Sequence, residues 1–548
     1  MVELERLRMR RAKNRRTQFA ILAVLLLLSL LALFGQEYKE LGSHGEYYFR
    51  FHLADRSRLE QLTREISIDN FRNDTVFAYG VESQVEQLRQ QGFQPEVLLH
   101  PGKRIIASMS DAKAAMEWDS YPTYEAYVEM MNGFASDYPE LCQIVDAGYS
   151  VRGRSILFAK ISDNVEIEET EPEFMYTATM HGNETIGYIL MLRLIDYLLT
   201  NYGSDAQVTR LVDSVEIWIN PLANPDGAYR DGNASVLNAT RNNTNQVDLN
   251  RNFPDPDPQY GDHPDGKAWQ PETIAMMSLA EEHNFVASVN FHDGVEVVNY
   301  PWDTWSWLHP DNDWFWKISR AYADMVHQYC DYGYMNYKEN GITNGYAWYP
   351  VKGSRQDYMT YFRHGREVTI ELSDIKGAYS SFDPADLPTF WEWNYRSMLN
   401  QIGIVLHGIR GMVTDVRGLP LEAKVTLLDH DFDHSEVFSD PDHGDYYRLV
   451  APGTYDVKME SEGYIPVVFR NIVVKEDCAT MLDAQLCQAG DVDRDGELTI
   501  YDVVKTINFL LEHTVPTAAD SLAADWDQDG QITLQDVNGL VEQILDEK

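Results

Sequence analysis

Apolar strand-like segments alternate with longer helical patterns from about residue 118 to residue 408. This alternation is typical of a large α/β structure, in which helices pack on the faces of a sheet. The chain has 548 residues, which is more than one hydrophobic core usually supports, so further domains are expected on both sides of this unit. We therefore predict a modular α/β protein built around residues 118–408.

Shorter patterns on both sides predict three smaller modules. Residues 46–102 contain two strand–helix–strand halves and predict a small α/β module. Its position before the main unit is that of a propeptide, and a permanent accessory domain is the alternative. Residues 409–487 show short alternating strands separated by turns and predict a β-sandwich. Residues 488–548 hold two copies of one acidic pattern and form a separate repeat module.

The charge distribution bears on partners and on the cellular compartment. The net charge of -41 argues against a nucleic acid partner, because phosphate binding relies on clustered Lys and Arg. A basic segment at residues 6–16 precedes an uncharged apolar run from Phe19 to Phe34, which is the pattern of an export signal. The run is short for a membrane span, so a signal peptide and a membrane anchor over residues 1–36 both stay open. Either predicts a secreted or extracytoplasmic protein.

Four ionisable side chains lie where predicted strands end. His181 and Glu184 follow the strand at 174–180, His292 follows the strand at 284–291, and Glu371 follows the strand at 367–370. A His-x-x-Glu pair alone is weak evidence for a metal site. Two imidazoles and one carboxylate together, however, leave a fourth zinc position open for water, as in catalytic zinc sites. Because sites in open α/β sheets form at the carboxyl ends of strands, these four side chains are predicted to converge.

Several short motifs then occur in a characteristic order. HGNE, NPDG, DLNRNFP, GITNG followed by QDY, and VTIEL follow one another along the chain, which resembles the M14 metallocarboxypeptidases over residues 118–408. The N/E subfamily of carboxypeptidases D, M and N is the most similar, because a transthyretin-like β-sandwich follows its catalytic domain. The resemblance implies the zinc carboxypeptidase fold, a mixed β-sheet flanked by helices.

The resemblance also implies how the catalytic groups divide the chemistry. His181, Glu184 and His292 would bind one catalytic zinc ion. Glu371 would be the general base that takes a proton from the attacking water. Arg241 would polarise the scissile carbonyl and stabilise the oxyanion that forms. A guanidinium binds a carboxylate through two parallel hydrogen bonds, which suits an enzyme restricted to chain ends. The residues implied to anchor the terminal carboxylate of the substrate are Asn250, Arg251 and Tyr358.

Specificity is predicted from the segment Tyr300-Pro-Trp-Asp303, which matches basic-specific members of the subfamily. A carboxylate in the side-chain pocket would pair with Lys or Arg, and Gln356 matches a second pocket position. The alternative is that Asp303 only caps a turn. One departure is His292-Asp293-Gly294, where the subfamily usually has His-Gly-Gly, because it adds a charged side chain beside the site.

The acidic repeats at the end of the chain match calcium loops. Oxygen ligands at loop positions 1, 3, 5, 9 and 12, a backbone carbonyl at position 7 and a glycine at position 6 can surround Ca²⁺. Predicted helices at 501–512 and 534–545 follow the loops, and the unit resembles a type I dockerin. The resemblance implies two structural Ca²⁺ ions and a cohesin-like partner, with a calcium-stabilised tail as the alternative. The predicted ligands are Asp491, Asp493, Asp495, Glu497, Thr499 and Asp502 in one loop, and Asp525, Asp527, Asp529, Gln531, Thr533 and Asp536 in the other.

The sequence therefore predicts a zinc metallocarboxypeptidase that hydrolyses the C-terminal peptide bond of peptides and proteins and releases Lys or Arg. Two alternatives stay open, namely a zinc peptidase that trims cell-wall peptides and a catalytically silent binding protein on the same fold. The pair Asn250-Arg251 favours an ordinary L-residue carboxylate as the group recognised. The full set of expected site residues favours an active enzyme.

Overall fold

The computed structural model describes residues 41–105, 108–330, 333–374, 376 and 386–546. The basic segment and the apolar run Phe19–Phe34, on which the prediction of a signal or anchor depends, lie outside these residues. Among the residues that are described, no helix is long and apolar enough to cross a membrane.

The first module is a four-stranded antiparallel sheet with two helices. The order of its strands is β2-β3-β1-β4. One of these strands, β2, lies along the chain between the two predicted halves and was not predicted from the sequence. A tight turn with positive φ at Asn73 and Asp74 joins β2 to β3, as favoured in two-residue hairpins. The elements are β1 (Glu46–His52), α1 (Leu59–Glu65), β2 (Ser67–Arg72), β3 (Thr75–Val81), α2 (Glu82–Gln90) and β4 (Glu96–Leu98).

The main unit contains an eight-stranded mixed sheet. A short parallel ladder of β5 (Met109–Ser110) and β6 (Tyr121–Pro122) precedes it. The strands of the large sheet are β7 (Cys142–Tyr149), β8 (Ser155–Ile161), β9 (Glu173–Ala178), β10 (Glu216–Asn220), β11 (Phe285–His292), β12 (Glu296–Tyr300), β13 (Ile342–Asn344) and β14 (Arg366–Leu372). Their order is β13-β12-β14-β11-β9-β10-β8-β7, and β14, β11, β9 and β10 are parallel neighbours. The predicted mixed sheet is thus confirmed.

Helices cover this sheet, and one of them fixes the metal-site loop. α5 is buried at eleven of its sixteen residues, because it is apolar on nearly all sides and lies inside the main core. The helices are α3 (Ala112–Ala115), α4 (Tyr124–Asp137), α5 (Ile186–Asn201), α6 (Ala206–Val212), α7 (Pro225–Ala228), α8 (Pro271–Glu282), α9 (Asn312–Tyr329), α10 (Tyr337–Asn340), α11 (Gly345–Trp348), α12 (Arg355–Tyr361) and α13 (Leu387–Ile402).

Two small sheets follow and share one apolar core, as expected for a β-sandwich. The first has the order β18-β15-β21, with β22 also paired to β15, and the second has the order β17-β16-β19-β20. Their strands are β15 (Gly408–Asp415), β16 (Lys424–Leu427), β17 (Val437–Phe438), β18 (Asp445–Arg448), β19 (Gly453–Glu460), β20 (Val467–Val474), β21 (Ala479–Met481) and β22 (Ala484–Leu486).

A buried group of charges joins the sandwich to the main unit. Arg448 of the sandwich contacts Asp311 at 2.9 Å and Asp431 at 2.5 Å. Arg366, at the start of β14, contacts the same Asp311 at 2.8 Å. Burial alone would raise the pKa of Asp311, but the charges of Arg448 and Arg366 outweigh it and hold this pKa well below its usual range. The sandwich is therefore fixed to the first residue of a central strand.

The acidic repeats end the described chain with three helices, α14 (Ile500–Leu510), α15 (Ala518–Ala524) and α16 (Leu534–Asp546). α14 and α16 pack together through Val503, Val537 and Leu540. The first repeat also packs against the sandwich, because Ile465 joins its apolar cluster around Val492. The repeats are thus seated on the sandwich rather than attached only by the chain.

Replacing Arg448 by Ala should destabilise the protein by about 3–5 kcal/mol, because Asp311 and Asp431 would lose a buried partner. Chemical denaturation of the full chain measures this loss. The control is Arg470→Ala, which removes an ion pair with Asp456. Because the side chain of Arg470 is 61% exposed, this change should leave the midpoint unchanged. Equal midpoints for Arg448→Ala and wild type would contradict a stabilising role for the network.

Candidate functional site

The four predicted metal-site and base residues meet at the carboxyl edge of the parallel strands. His181 and Glu184 lie in the loop between β9 and α5, and His292 is the last residue of β11. β11 and β14 are parallel, and their register places His292 directly beside Glu371. Side chains far apart in sequence are thus brought together by the order of the strands.

Three ligand atoms converge on one point. His181 Nδ1 and His292 Nδ1 are 3.0 Å apart, and Glu184 Oε2 lies 3.0 Å from the first and 2.8 Å from the second. All three side chains are buried. Two imidazole nitrogens and a carboxylate oxygen that face one another are a donor set that suits Zn²⁺. The residues present therefore fit the expected metal.

The outer nitrogen of each imidazole is held by a neighbour. His181 Nε2 lies 2.9 Å from Asp248 Oδ1, and His292 Nε2 lies 2.8 Å from the side-chain amide of Asn290. Asp248 can accept the Nε2 proton of His181, which leaves the Nδ1 lone pair of His181 free for a metal, because the outer hydrogen bond sets the tautomer. The Asn290 atom that faces His292 is the amide nitrogen, a donor, and the Asn290 oxygen accepts from the hydroxyl of Thr177 at 3.1 Å. Neither Asp248 nor Asn290 was predicted from the sequence, although Asp248 lies within the DLNRNFP motif.

Two glycines explain why the HGNE and NPDG motifs occur together. A Cβ on Gly182 would lie 2.2 Å from the backbone of Gly227, so neither loop could approach the other with a larger residue at position 182. Asn224 completes the contact, because its side chain donates to Met180 O at 3.1 Å. The NPDG segment thus supports the metal-site loop from behind.

A cavity opens beside the metal centre. It is lined by His181, His292 and Glu371 together with Arg241, Asn250, Arg251 and Asp303. Burial, followed by the charge of Glu184, raises the pKa of Glu371 well above its usual range. One oxygen of Glu371 has no hydrogen-bond partner among the described residues. A buried carboxylate with a free oxygen at a cavity is suited to accept a proton.

Arg241 is surrounded by carboxylates. Its guanidinium lies 2.9 Å from Glu184, 3.2 Å from Asp248 and 3.1 Å from Asp69. Burial would lower its pKa, but these charges outweigh burial and raise it well above the usual value. Arg241 therefore stays charged, as an oxyanion-stabilising group must. Asp69 belongs to β2, so the first module reaches into the site.

Asp303 lies in the cavity wall with its carboxylate buried. Its Oδ1 accepts a hydrogen bond from Asn299 at 3.1 Å, and its own backbone N–H is capped by Asp357 at 3.0 Å. A Cβ on Gly345 would lie 1.9 Å from Asp303 Oδ1, which accounts for the last glycine of the GITNG motif. Burial raises the pKa of Asp303. The turn is therefore capped by Asp357, whereas Asp303 faces the cavity.

The structure does not bring Tyr358 or Gln356 to the cavity wall. The ring of Tyr358 packs beside Phe253 and Phe362, with centroids 5.4 and 5.8 Å away. Tyr349, just after α11, lines the cavity instead. The QDY motif predicted a role for Tyr358, and no pattern in the sequence predicted one for Tyr349.

Asp293, the departure from the usual His-Gly-Gly, supports the metal-site helix. Its carboxylate accepts from the backbone N–H of Ile186, the first residue of α5, at 3.2 Å. Its own backbone N–H donates to Glu184 Oε2 at 3.2 Å. A carboxylate at a helix N-terminus is favourable, because it satisfies a free N–H group and interacts well with the helix dipole.

The two acidic loops share a hydrogen bond between equivalent positions. In each, the glycine at position 6 donates to the first aspartate, at 3.0 Å from Gly496 to Asp491 and 2.8 Å from Gly530 to Asp525. In the first loop, Asp491, Asp493 and Asp502 bring carboxylate oxygens within 4.8 Å of one another. Asp491 Oδ1 is buried without a hydrogen-bond partner among the described residues. This oxygen-rich arrangement fits Ca²⁺.

Comparisons with known proteins agree with this geometry. The zinc carboxypeptidase family model matches residues 127–397, and the dockerin type I domain model matches residues 489–545. Human carboxypeptidase D is 38% identical over 387 residues, which are 67% of this chain and 27% of that protein. The chain thus spans about a quarter of the length of that relative.

Two shorter relatives are covered more fully. Mouse carboxypeptidase M is 34% identical over 359 residues, 63% of this chain and 79% of that protein. The mouse carboxypeptidase N catalytic chain is 33% identical over 401 residues, 66% of this chain and 85% of that protein. The crystal structure of carboxypeptidase A from Helicoverpa armigera has the same fold, with a TM-score of 0.51 at 18% identity over 66% of this chain and 97% of that one. The site geometry and these relatives together show that the chain belongs to the M14 family of zinc carboxypeptidases.

Proposed function

We propose that this protein is a zinc-dependent carboxypeptidase that releases Lys or Arg from the C-termini of peptides and proteins. The observation that supports this most directly is a single cavity whose wall contains the two metal-site imidazoles, Glu371, two arginines and Asp303. Removal of a basic C-terminal residue requires a metal, a base, cations for the terminal carboxylate and an acidic pocket. The metal-site imidazoles, the base, the cations and the acidic side chain that these steps require line this cavity.

Peptide hydrolysis at this site needs a proton acceptor and a cation for the oxyanion. His181, Glu184 and His292 would hold the zinc ion, which when bound polarises a carbonyl and lowers the pKa of water. Glu371 takes a proton from the attacking water and returns it to the leaving amine. Arg241 donates hydrogen bonds to the oxygen on which negative charge develops.

Restriction to chain ends follows from the groups beside the base. Arg251 presents a guanidinium to the cavity, and Asn250 lies next to it. A free carboxylate satisfies the guanidinium, whereas an internal peptide bond brings no charge to it. We assign the tyrosine contact to Tyr349, because Tyr349 lines the cavity and Tyr358 does not.

The preference for Lys or Arg depends on Asp303. Its carboxyl is buried, and burial raises its pKa, so an incoming cation supplies the partner that would keep it ionised. An aromatic or aliphatic side chain would leave this carboxyl desolvated and unpaired. Gln356 is assigned no contact with the substrate, because it does not line the cavity.

The acidic repeats are proposed to bind two Ca²⁺ ions and a cohesin-like partner. Their matching loop hydrogen bonds and the dockerin type I match at residues 489–545 support this. We further propose the domain bounds 46–102, 118–408, 409–487 and 488–548, and a location outside the cytoplasm, on the basic and apolar pattern at the N-terminus and the dockerin match.

Replacing Glu371 by Gln should keep zinc bound but lower kcat at least about 10²-fold, because the proton acceptor is lost. Turnover is measured on blocked dipeptides ending in L-Arg, and metal content by elemental analysis. Glu281→Gln, an exposed change on α8, is the matched control. Chelation should abolish wild-type activity and zinc should restore it. Near-normal turnover by Glu371→Gln contradicts the mechanism, and hydrolysis only of D-Ala-ending substrates would favour a cell-wall enzyme.

Replacing Asp303 by Asn should remove the preference for Arg over Leu by roughly 30-fold or more in kcat/KM, because a buried charge pair is lost. Substrates should differ only in their final residue. Measurement at high salt separates this pocket from the acidic surface, whose attraction is screened. Asp313→Asn on the exposed side of α9 is the control. A variant that keeps the full Arg preference would show that Asp303 does not set specificity.

Calorimetric titration of the full chain with CaCl₂ should show two sites. Asp491→Ala and Asp525→Ala should each remove one of them, because each change deletes the position-1 ligand of one loop. Glu512→Ala, an exposed carboxylate outside the loops, should leave both. Calcium sites of this type can be as weak as about 10⁻³ M, so a stoichiometry near zero at millimolar calcium contradicts the proposal.

A further inference from the structure

The turn that carries Asp303 has all of its backbone polar groups bound at residues 303 and 304. Asp357 accepts from the backbone N–H groups of Asp303 and Thr304, at 3.0 and 2.8 Å. The carbonyl of Asp303 accepts from the backbone N–H of Val351 at 3.1 Å. The carbonyl of Thr304 accepts from Lys352 Nζ at 2.9 Å. Contacts on all four groups therefore fix the path of the chain at Asp303.

A serine connects Asp357 to the carboxylate of Asp303. The hydroxyl of Ser354 accepts from the backbone N–H of Asp357 at 3.2 Å. The same hydroxyl hydrogen-bonds the side chain of Asp303, which favours the ionised carboxylate. Asn299 donates to Asp303 Oδ1 at 3.1 Å. The direction of the Asp303 carboxylate is thus held from the same side as its backbone.

Asp357 itself is a buried carboxylate in an unfavourable environment. It is fully buried, it accepts from backbone N–H groups, and no ion pair among the described residues contains it. Burial, followed by the charge of Asp303, raises the pKa of Asp357 well above its usual range. A buried carboxylate without a cation costs stability. The cost is explained if Asp357 acts on the residue that it holds, because perturbed carboxyls concentrate at functional sites.

We propose that Asp357 is a positioning residue that sets the preference for Lys or Arg by holding Asp303 at the cavity. The proposal rests on the carboxypeptidase function proposed above and adds a specificity-determining residue that does not line the cavity. A carboxylate can accept from both N–H groups of the turn, whereas an Asn amide offers one oxygen and turns a donor toward the second N–H. Asp357→Asn therefore displaces Asp303, and a shift of about 1 Å can change rates about 10²-fold.

The test compares two substrates on the zinc-loaded full chain. Blocked dipeptides differ only in their final residue, Arg or Leu. Asp357→Asn should raise KM for the Arg substrate at least about 10-fold and leave kcat almost unchanged, because binding of the side chain is lost while Glu371 and the metal ligands are untouched. For the Leu substrate, kcat/KM should not fall. A merely structural role would lower kcat/KM for both substrates equally.

Asp255→Asn is the matched control. Asp255 is also a buried carboxylate at this turn, because it accepts from the hydroxyl of Thr304 at 2.9 Å and from the backbone N–H of Gly353 at 2.8 Å. Its hydrogen bonds do not include the backbone of Asp303. The same chemical change at this position should keep the preference for Arg.

A double-mutant cycle shows whether Asp357 acts through Asp303. Once Asp303 is replaced by Asn, Asp357→Asn should cost no further preference for Arg, so the two effects should be non-additive. Additive losses overturn the proposal, and so do equal losses on both substrates in Asp357→Asn. If this variant fails to fold, Ser354→Ala decides, because it removes the hydroxyl between the two carboxyls and should raise KM for the Arg substrate alone.

Failure of this proposal is distinguishable from failure of the proposed function. Wild type that hydrolyses neither substrate, or prefers Leu, would refute the function and this role of Asp357 together. A wild-type preference for Arg that survives in Asp357→Asn would refute the role of Asp357 alone.

Discussion

The buried guanidinium of Arg241 holds the site together. It contacts Glu184 of the metal-site loop, Asp248 behind His181, and Asp69 of the first module, so three distant parts of the chain meet on one charge. A buried cation without partners would cost several kcal/mol. The pKa of Glu184 and that of Asp248 are held well below their usual range, because nearby positive charges outweigh burial. The loop geometry and the seating of the module are thus linked.

The sequence predicted the main strands well, and physical reasons explain where it failed. The strands beneath the site are buried on both faces, so they appear as apolar runs and the site residues follow them directly. β2 was missed because the outward face of Ser67–Arg72 meets a charged cavity instead of water or an apolar core. Its pattern of Ser, Asp and Asn therefore resembles a loop. The sequence pointed to Tyr358, whereas Tyr349 lines the cavity, because a motif marks a segment and does not show which ring faces the cavity.

The sandwich acts on the site through one strand. β14 begins at Arg366, which is fixed by the charges shared with Arg448, and it carries Glu371 near its other end. Because neighbouring strands restrain β14 along its length, anchoring its first residue restricts sliding that would displace Glu371. The sandwich thus supports the position of the base without touching the cavity.

The length of β14 separates the contact with the sandwich from the cavity. Five residue steps at about 3.3 Å each place the sandwich contact at Arg366 about 16 Å from Glu371. The acidic repeats pack on the sandwich through Ile465, and β2 of the first module contacts the cavity. A protein bound to the repeats would therefore meet the molecule through the sandwich end, whereas the cavity lies beside Glu371 at the opposite end of β14. Attachment through the tail and occupation of the cavity are for this reason separable, because the first need not obstruct the second.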